Sequence, residues 1–560
     1  MLAIAGAAAL GLSLTVAFTA SSPGSAAVRP TPSAQPASFV APAVSCNSLA
    51  GLNLTSNPAL LAQVTSAAET TVNGGDFCKV QGQIAPQEDF ALLLPVSTWT
   101  GDYLQNGNGG QGGSVPAGTT PTLSAGCMAV TNNNLAIGSD DEGHEGPGSL
   151  WAATDPAILS VYGYQSEHLL ALTAKALIKA YYGRGPTDSY FDGCSTGGRQ
   201  GLVEAQRYPT DFQGILAGSP TNLNVELPSE AHAWTILSNM DSSGHEILTT
   251  AQLPALHDAV MAACADSQGV ITDPRSCDFN PASIQCPAGQ VSDSCLTPAQ
   301  VQVVDKIYKG PADPQGQLLY PGGVPFGSEL AWAGEFIEPA SDANWPQDTE
   351  DFSTANSSTR YETLTAGPEP ASWTLSDWKF TRAQYKQLNR GLLDSVDPDL
   401  SAFAKAGGKL ILWAGWADQG VSPMGTVAYY TAVEHAAGGF AAASRFSKLF
   451  MIPGGYHCEG GGDPEASGDL LTPLINWVEN NQAPGTETFN TVNPSAGQPA
   501  SLTVAPLDAL APVPGGSRSM NDDYSKFVGG FPSGTEEWTS TNGRTFVAKT
   551  GRTDPFRDQG

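Results

Sequence analysis

The stretch Gly193-Cys194-Ser195-Thr196-Gly197 sets a serine between two glycines, each one residue removed. A serine hydroxyl is a poor nucleophile unless a base takes its proton as it attacks. The G-x-S-x-G pattern suits a tight strand-to-helix turn that lifts the hydroxyl clear of its neighbours, and only small residues fit around such a turn. Glycine-rich turns containing serine are common, so the pattern alone is weak. Its context adds weight: "DSYFDG" before it reads as a strand and "RQGLVEAQRYP" after it as a helix, whose N-terminal amides point outward at the serine.

A base and an acid have to complete the chemistry. Of the seven histidines, His457 follows the strand-like "LFMIPGGY", on a loop after a late strand. His144, in "SDDEGHEG", precedes the serine and reads as structural, holding its loop by hydrogen bonds. His168 lies within a helical pattern and reads as a core or surface residue. Asp418 ends "KLILWAGWAD", at the carboxyl edge of a strand, where a carboxylate could orient the imidazole and stabilise its charged form. The order Ser195, Asp418, His457 is that of α/β hydrolases. Asp463, in "GGGDPE", is the rival acid but follows the histidine, which this order disfavours.

Two cysteines flank these residues. Cys194 precedes Ser195 and Cys458 follows His457, so a contact between serine and histidine would make the cysteines neighbours. A disulfide there would pin base beside nucleophile and close a loop of 264 residues, worth on the order of a few kcal/mol. The chain has nine cysteines and shows no CxxC pair or Cys/His knuckle, hence no metal signature.

These residues need a frame. "QEDFALLLPVSTW", "DSYFDG", "GILAGSP", "KLILWAGWAD" and "FSKLFMIPGGY" read as strands, with "EHLLALTAKALIKAYYG" and "RQGLVEAQRYP" as helices between them. The alternation predicts an α/β fold with a mostly parallel sheet covered on both faces. From about residue 222 to 396 the texture changes to helical segments among Cys-, Pro- and Gly-bearing loops. The expected organisation is a catalytic domain over 45–221 and 397–560, interrupted by a domain at 222–396. Residues beyond 485 show few clear elements. Residues 1–27 read as a signal peptide with an Ala-x-Ala-like end, and 28–44 as a flexible Pro/Ala/Ser-rich leader, which predicts a secreted protein. A membrane anchor is the alternative for the first segment. The formal net charge of −29 leaves no basic surface for nucleic acid and disfavours anionic membranes.

Cys194-Ser195, Asp418 and His457-Cys458 resemble the CS-D-HC arrangement of the tannase and feruloyl esterase family. The likeness extends to "FCKVQG", "GNGGQGG", "SDDEGH", "HLLALTAKALIKAYYG" and "YFDGCSTGGRQGLVEAQRYPTDFQGILAGSP". It implies an α/β-hydrolase fold with a large lid inserted between nucleophile and acid. It also implies an oxyanion hole from the amide of Thr196 and one in Gly109-Gly110, and disulfides Cys46–Cys78, Cys194–Cys458, Cys264–Cys277 and Cys286–Cys295, with Cys127 left as a buried thiol. The family's lid carries a calcium loop. Here "CADSQGVITDPRSC" is shorter, with Ala265 and Gln268 where acids are expected, and Asp266 and Asp273 alone remain; no metal or other cofactor is therefore expected. The activity implied is an esterase that frees aromatic acids of hydroxycinnamic or gallic type through an acyl-enzyme, on small aromatic esters that plant polysaccharide could carry. Rings such as Trp332, Trp373 and Trp378 could stack on the substrate or pack the lid. The alternatives are a tannase, a terephthalate-monoester hydrolase, a peptidase and a non-catalytic binding protein on a hydrolase scaffold.

Overall fold

The apolar runs that read as strands meet in one nine-stranded sheet. The computed structural model describes residues 38–57, 60–116, 121–154, 157–339, 344–458, 467–493, 498–513, 527–531, 535–539 and 545–549. The sheet comprises β1 (Ala62–Val72), β2 (Gly75–Ile84), β3 (Glu88–Pro95), β4 (Tyr103–Asn106), β5 (Ala136–Asp140), β6 (Ser189–Cys194), β7 (Gly214–Gly218), β8 (Lys409–Gly415) and β9 (Ser447–Ile452), in the order β1-β2-β3-β5-β4-β6-β7-β8-β9. The strands from β5 across to β9 pair in parallel, while β1, β2, β3 and β5 pair antiparallel. The compact unit that begins at Phe39 holds all of these elements.

Helices cover both faces. α1 (Ser166–Tyr182) stops where Gly183 takes φ +76, a left-handed turn that suits glycine. It buries Leu170, Ala174, Leu177 and Ile178 in a core shared with Phe191, Ile215, Leu410 and Leu412 of the sheet. α2 (Thr196–Arg207) follows Ser195 and is buried along its whole length. On the opposite face Leu471, Leu474 and Trp477 of a C-terminal helix (Leu471–Asn480) pack on Tyr190, Leu216, Ile411 and Phe450. Central strands buried on both faces explain why they read as continuous apolar runs.

Residues 219–408 lie between β7 and β8, and the described residues among them add no strand to this sheet. Their helices include one at Leu253–Cys264, one at Pro298–Lys309 and α3 (Glu350–Tyr361). A separate apolar cluster gathers there, containing Trp332, Trp373 and Trp378. Two π-helical turns, Val161–Gln165 and Leu227–His232, border the same region. Such turns shift the helical register and re-aim side chains, and they recur near functional sites.

Two expectations are corrected. The C-terminal part beyond residue 485 carries a hairpin of Glu487–Asn493 with Gln498–Val504, extended by Ser467–Gly468. The end of the expected flexible leader is tied down, because the Val40 amide donates to the Trp99 carbonyl at 2.9 Å and that of Ala43 to Tyr181 at 2.8 Å. The expected signal peptide, residues 1–27, lies outside the described residues, as does Asp463. No helix among the described residues is long and apolar enough to cross a membrane.

Candidate active site

β6 turns into α2 so abruptly that Ser195 adopts φ +63 and ψ −121, a conformation that non-glycine residues avoid. The turn demands small neighbours. A Cβ on Gly193 would meet the Gly197 carbonyl carbon at 2.6 Å, and one on Gly198 would lie 2.2 Å from the Gly218 carbonyl oxygen. The strain is held by backbone bonds: the Ser195 amide donates to Gly218, and the Ser195 carbonyl accepts from Arg199 and Thr221.

At the ends of the neighbouring strands, β8 and β9 deliver the other two groups. Asp418 is fully buried, and its Oδ1 accepts the amides of Gly420 (3.1 Å) and Val421 (2.8 Å). His457 Nδ1 lies 2.9 Å from Asp418 Oδ2 and 3.1 Å from Oδ1. A carboxylate only accepts, so Nδ1 donates and Nε2 carries the lone pair a general base needs. Burial disfavours the imidazolium, but Asp418, Glu335 and Glu350 together outweigh it and push the His457 pKa up. Ser195 and His457 line one cavity of about 260 Å³. Among the described residues no hydrogen bond joins the Ser195 hydroxyl to Nε2; such contacts often tighten only when substrate binds.

The Cys194–Cys458 disulfide joins the neighbours of Ser195 and His457, with Cα atoms 5.7 Å apart. Cys458 itself has φ +56. The pairs Cys46–Cys78, Cys264–Cys277 and Cys286–Cys295 also form, and Cys127 is a buried free thiol.

Thr196 opens α2, where the first amides of a helix have no partner within it. Its hydroxyl donates to the Gly110 carbonyl, and Gly110 (φ +60) lines the cavity. Gly109 is not in the lining; its carbonyl accepts the Gly112 amide at 3.2 Å. The glycine loop is fixed from below: the Asn108 amide donates to Gln200 Oε1 at 2.9 Å, and Gln200 Nε2 donates to Glu142 at 2.5 Å. Glu142 pairs with the buried Arg199 at 3.3 Å. Burial, opposed by Arg199, raises its pKa to about 8.

The other residues weighed in the sequence lie outside the cavity lining. His144 is buried, yet its ring nitrogens meet no partner in hydrogen-bond geometry. It stacks on Trp151 with centroids 4.4 Å apart, and burial drops its pKa to about 4 against the pull of the Glu142 and Gln111 backbone that its ring faces, which suits a structural residue within its own loop. His168 bonds Asp211 at 2.5 Å and stacks on Tyr208. Trp332, Trp373 and Trp378 are buried in the inserted segment and do not line the cavity, whereas Tyr162 does.

Residues that motif reading missed come from the inserted segment and the acid loop. Gln419 Oε1 accepts the His457 amide at 3.3 Å, and its Nε2 donates to Glu335 at 3.0 Å. His232 Nε2 donates to the Gly420 carbonyl at 3.0 Å, and its Nδ1 meets Thr354 Oγ1 at 3.2 Å. His232 was one of seven histidines but lies in no motif, Gln419 merely adjoins Asp418, and no pattern in the sequence marks Glu335.

Metal ligation fits poorly. His232, Glu335 and Asp351 offer atoms within 4.8 Å of one another, but both ring nitrogens of His232 are engaged. At the family's calcium loop, Asp266 accepts the Gln268 amide and the Thr272 hydroxyl, and Asp273 makes a two-point pair with Arg275. A guanidinium occupies the carboxylate that calcium would need.

The family model for tannase and feruloyl esterase matches residues 70–507. A mono(2-hydroxyethyl) terephthalate hydrolase of Piscinibacter sakaiensis is 29% identical over 481 residues, covering 73% of this chain and 77% of its own. A probable feruloyl esterase of Arthroderma benhamiae is 30% identical over 470 residues, covering 78% and 81%. The crystal structure of feruloyl esterase B from Aspergillus oryzae matches in fold with a TM-score of 0.69 at 24% identity, over 81% of this chain and 93% of that one. With its α/β-hydrolase sheet and a family match across most of its length, the chain belongs to the tannase and feruloyl esterase family.

Proposed function

We propose that this carboxylic ester hydrolase is a secreted serine enzyme that frees aromatic acids, of feruloyl type, from their esters. One observation carries the reading: Ser195, held at φ +63 on a strand-to-helix turn, shares a cavity with an imidazole whose Nδ1 is fixed by a buried carboxylate.

In this reading Ser195 Oγ attacks the ester carbonyl carbon while His457 Nε2 takes its proton. The developing oxyanion is stabilised by the amides of Thr196 and Gly110, each worth roughly 3–4 kcal/mol of barrier. Nε2–H then protonates the departing alcohol oxygen, leaving an acyl-serine. Water attacks that ester with Nε2 again as base, and the acid leaves. Asp418 accepts from Nδ1 throughout and so holds the tautomer. Residues 222–396 act as a lid over the acyl-enzyme, the catalytic part being 45–221 with 397–560. Export rests on the leader and on disulfides, which persist in oxidising compartments. No calcium is needed.

The test is initial rates on methyl ferulate, methyl gallate and p-nitrophenyl acetate. Turnover highest on methyl ferulate is expected, whereas inertness towards every ester would favour a binding protein on this scaffold. A second reading, hydrolysis of terephthalate monoesters, is favoured by the Piscinibacter sakaiensis relative.

A further inference from the structure

The cavity wall beside His457 is acidic. A Cβ on Gly420 would stand 3.0 Å from Glu335 Oε1 and 3.5 Å from His457 Cγ, so carboxylate and imidazole flank one point. Glu350, at the start of α3, lines the same cavity, and its amide donates to Gly334, next to Glu335. Both carboxylates favour a positive charge on His457, so their field reaches the base. No lysine or arginine is in the described lining to offset them. Arg199 is fully buried and paired with Glu142. The lining histidines supply no lasting cation, because burial drives His232 toward neutrality and His457 is neutral when substrate enters, carrying charge only between the attack and the alcohol's departure.

In acyl transfer the leaving oxygen lies against the imidazole that protonates it. The acidic wall is therefore the wall of the leaving alcohol. We propose that Glu335 and Glu350 make this side of the cavity select esters of uncharged, polyhydroxylated alcohols and reject esters whose alcohol carries a carboxylate. The inference rests on the serine-esterase reading and adds the alcohol to it. Carboxylates accept hydroxyl hydrogen bonds strongly, which suits a sugar or other polyol. An anionic alcohol meets two like charges and gains no partner.

The test compares caffeate release from chlorogenic acid, whose quinate carboxylate is free, with that from its methyl ester, whose carboxylate is capped. Methyl caffeate serves as the reference. At low ionic strength kcat/KM should favour the capped ester by about tenfold or more. The preference should shrink toward unity in 1 M NaCl, where screening is short-ranged, and in the double variant Glu335→Gln/Glu350→Gln. Equal rates on capped and free esters in the wild-type enzyme would overturn the inference while leaving the esterase reading standing. So would a preference that neither salt nor the variant reduces. Failure to cleave methyl caffeate at all would instead overturn the esterase reading, and the inference with it.

Discussion

The two walls of the cavity that holds Ser195 and His457 are held by different forces. The sheet side is fixed by backbone geometry and a covalent link: Ser195 at φ +63, glycines whose replacement would collide with main chain, and the Cys194–Cys458 bridge. The inserted side is fixed by side-chain hydrogen bonds: Gln419 to Glu335, His232 to Gly420, Ser422 to Gly323. Backbone strain and disulfides hold atoms to fractions of an ångström. Single neutral hydrogen bonds contribute about 1 kcal/mol each and can exchange. In the proposed reading the reacting atoms thus sit on the rigid wall, and the groups proposed to judge the substrate sit on the adaptable one.

Breaking the rigid wall should cost most. Ser195→Ala should cut kcat by roughly 10⁴-fold or more with the circular dichroism spectrum unchanged; retained turnover would remove Ser195 from the chemistry. Cys194→Ser/Cys458→Ser should lower unfolding stability by about 2–5 kcal/mol in denaturant titration, and lower kcat with it. A double variant with full activity would show that the bridge does not position the base.

The adaptable wall should answer more mildly. Gln419→Ala should lower kcat a few-fold, equivalent to about 1 kcal/mol. Glu335→Gln probes charge there. His457 acts as a base only when deprotonated, and its pKa is raised, so kcat/KM should climb with pH through a limb above the ordinary histidine value of 6.5. Removing the Glu335 charge withdraws part of what raises it, so that limb should move to lower pH. An unmoved limb would put Glu335 out of electrical contact with the base. The smallest effect is expected from a chelator: because Arg275 holds Asp273, EDTA should leave activity and melting temperature unchanged. A loss restored by calcium would contradict this.

The two walls also differ in how readable they were. Ser195, His457 and their cysteines lie in short motifs whose spacing is itself the geometry, and Asp418 ends a strand whose apolar run is unmistakable. The contacts of His232, Glu335 and Gln419 join positions far apart in sequence, with no periodicity to announce them. β1 escaped notice because "AQVTSAAETTV" alternates small and polar residues, with Ala62, Val64 and Ala67 as its buried members. The three tryptophans of the inserted segment satisfied either reading by type; burial among Tyr308, Phe326 and Phe336 decided for packing.

The most direct test joins nucleophile and clamp in one experiment. Enzyme mixed with methyl ferulate is quenched in acid within the first turnover, digested without reduction and read by mass spectrometry. The account predicts a feruloyl group on Ser195, on a peptide still linked through Cys194 to the one carrying Cys458. An adduct elsewhere, or a Ser195 peptide free of that partner, would contradict it.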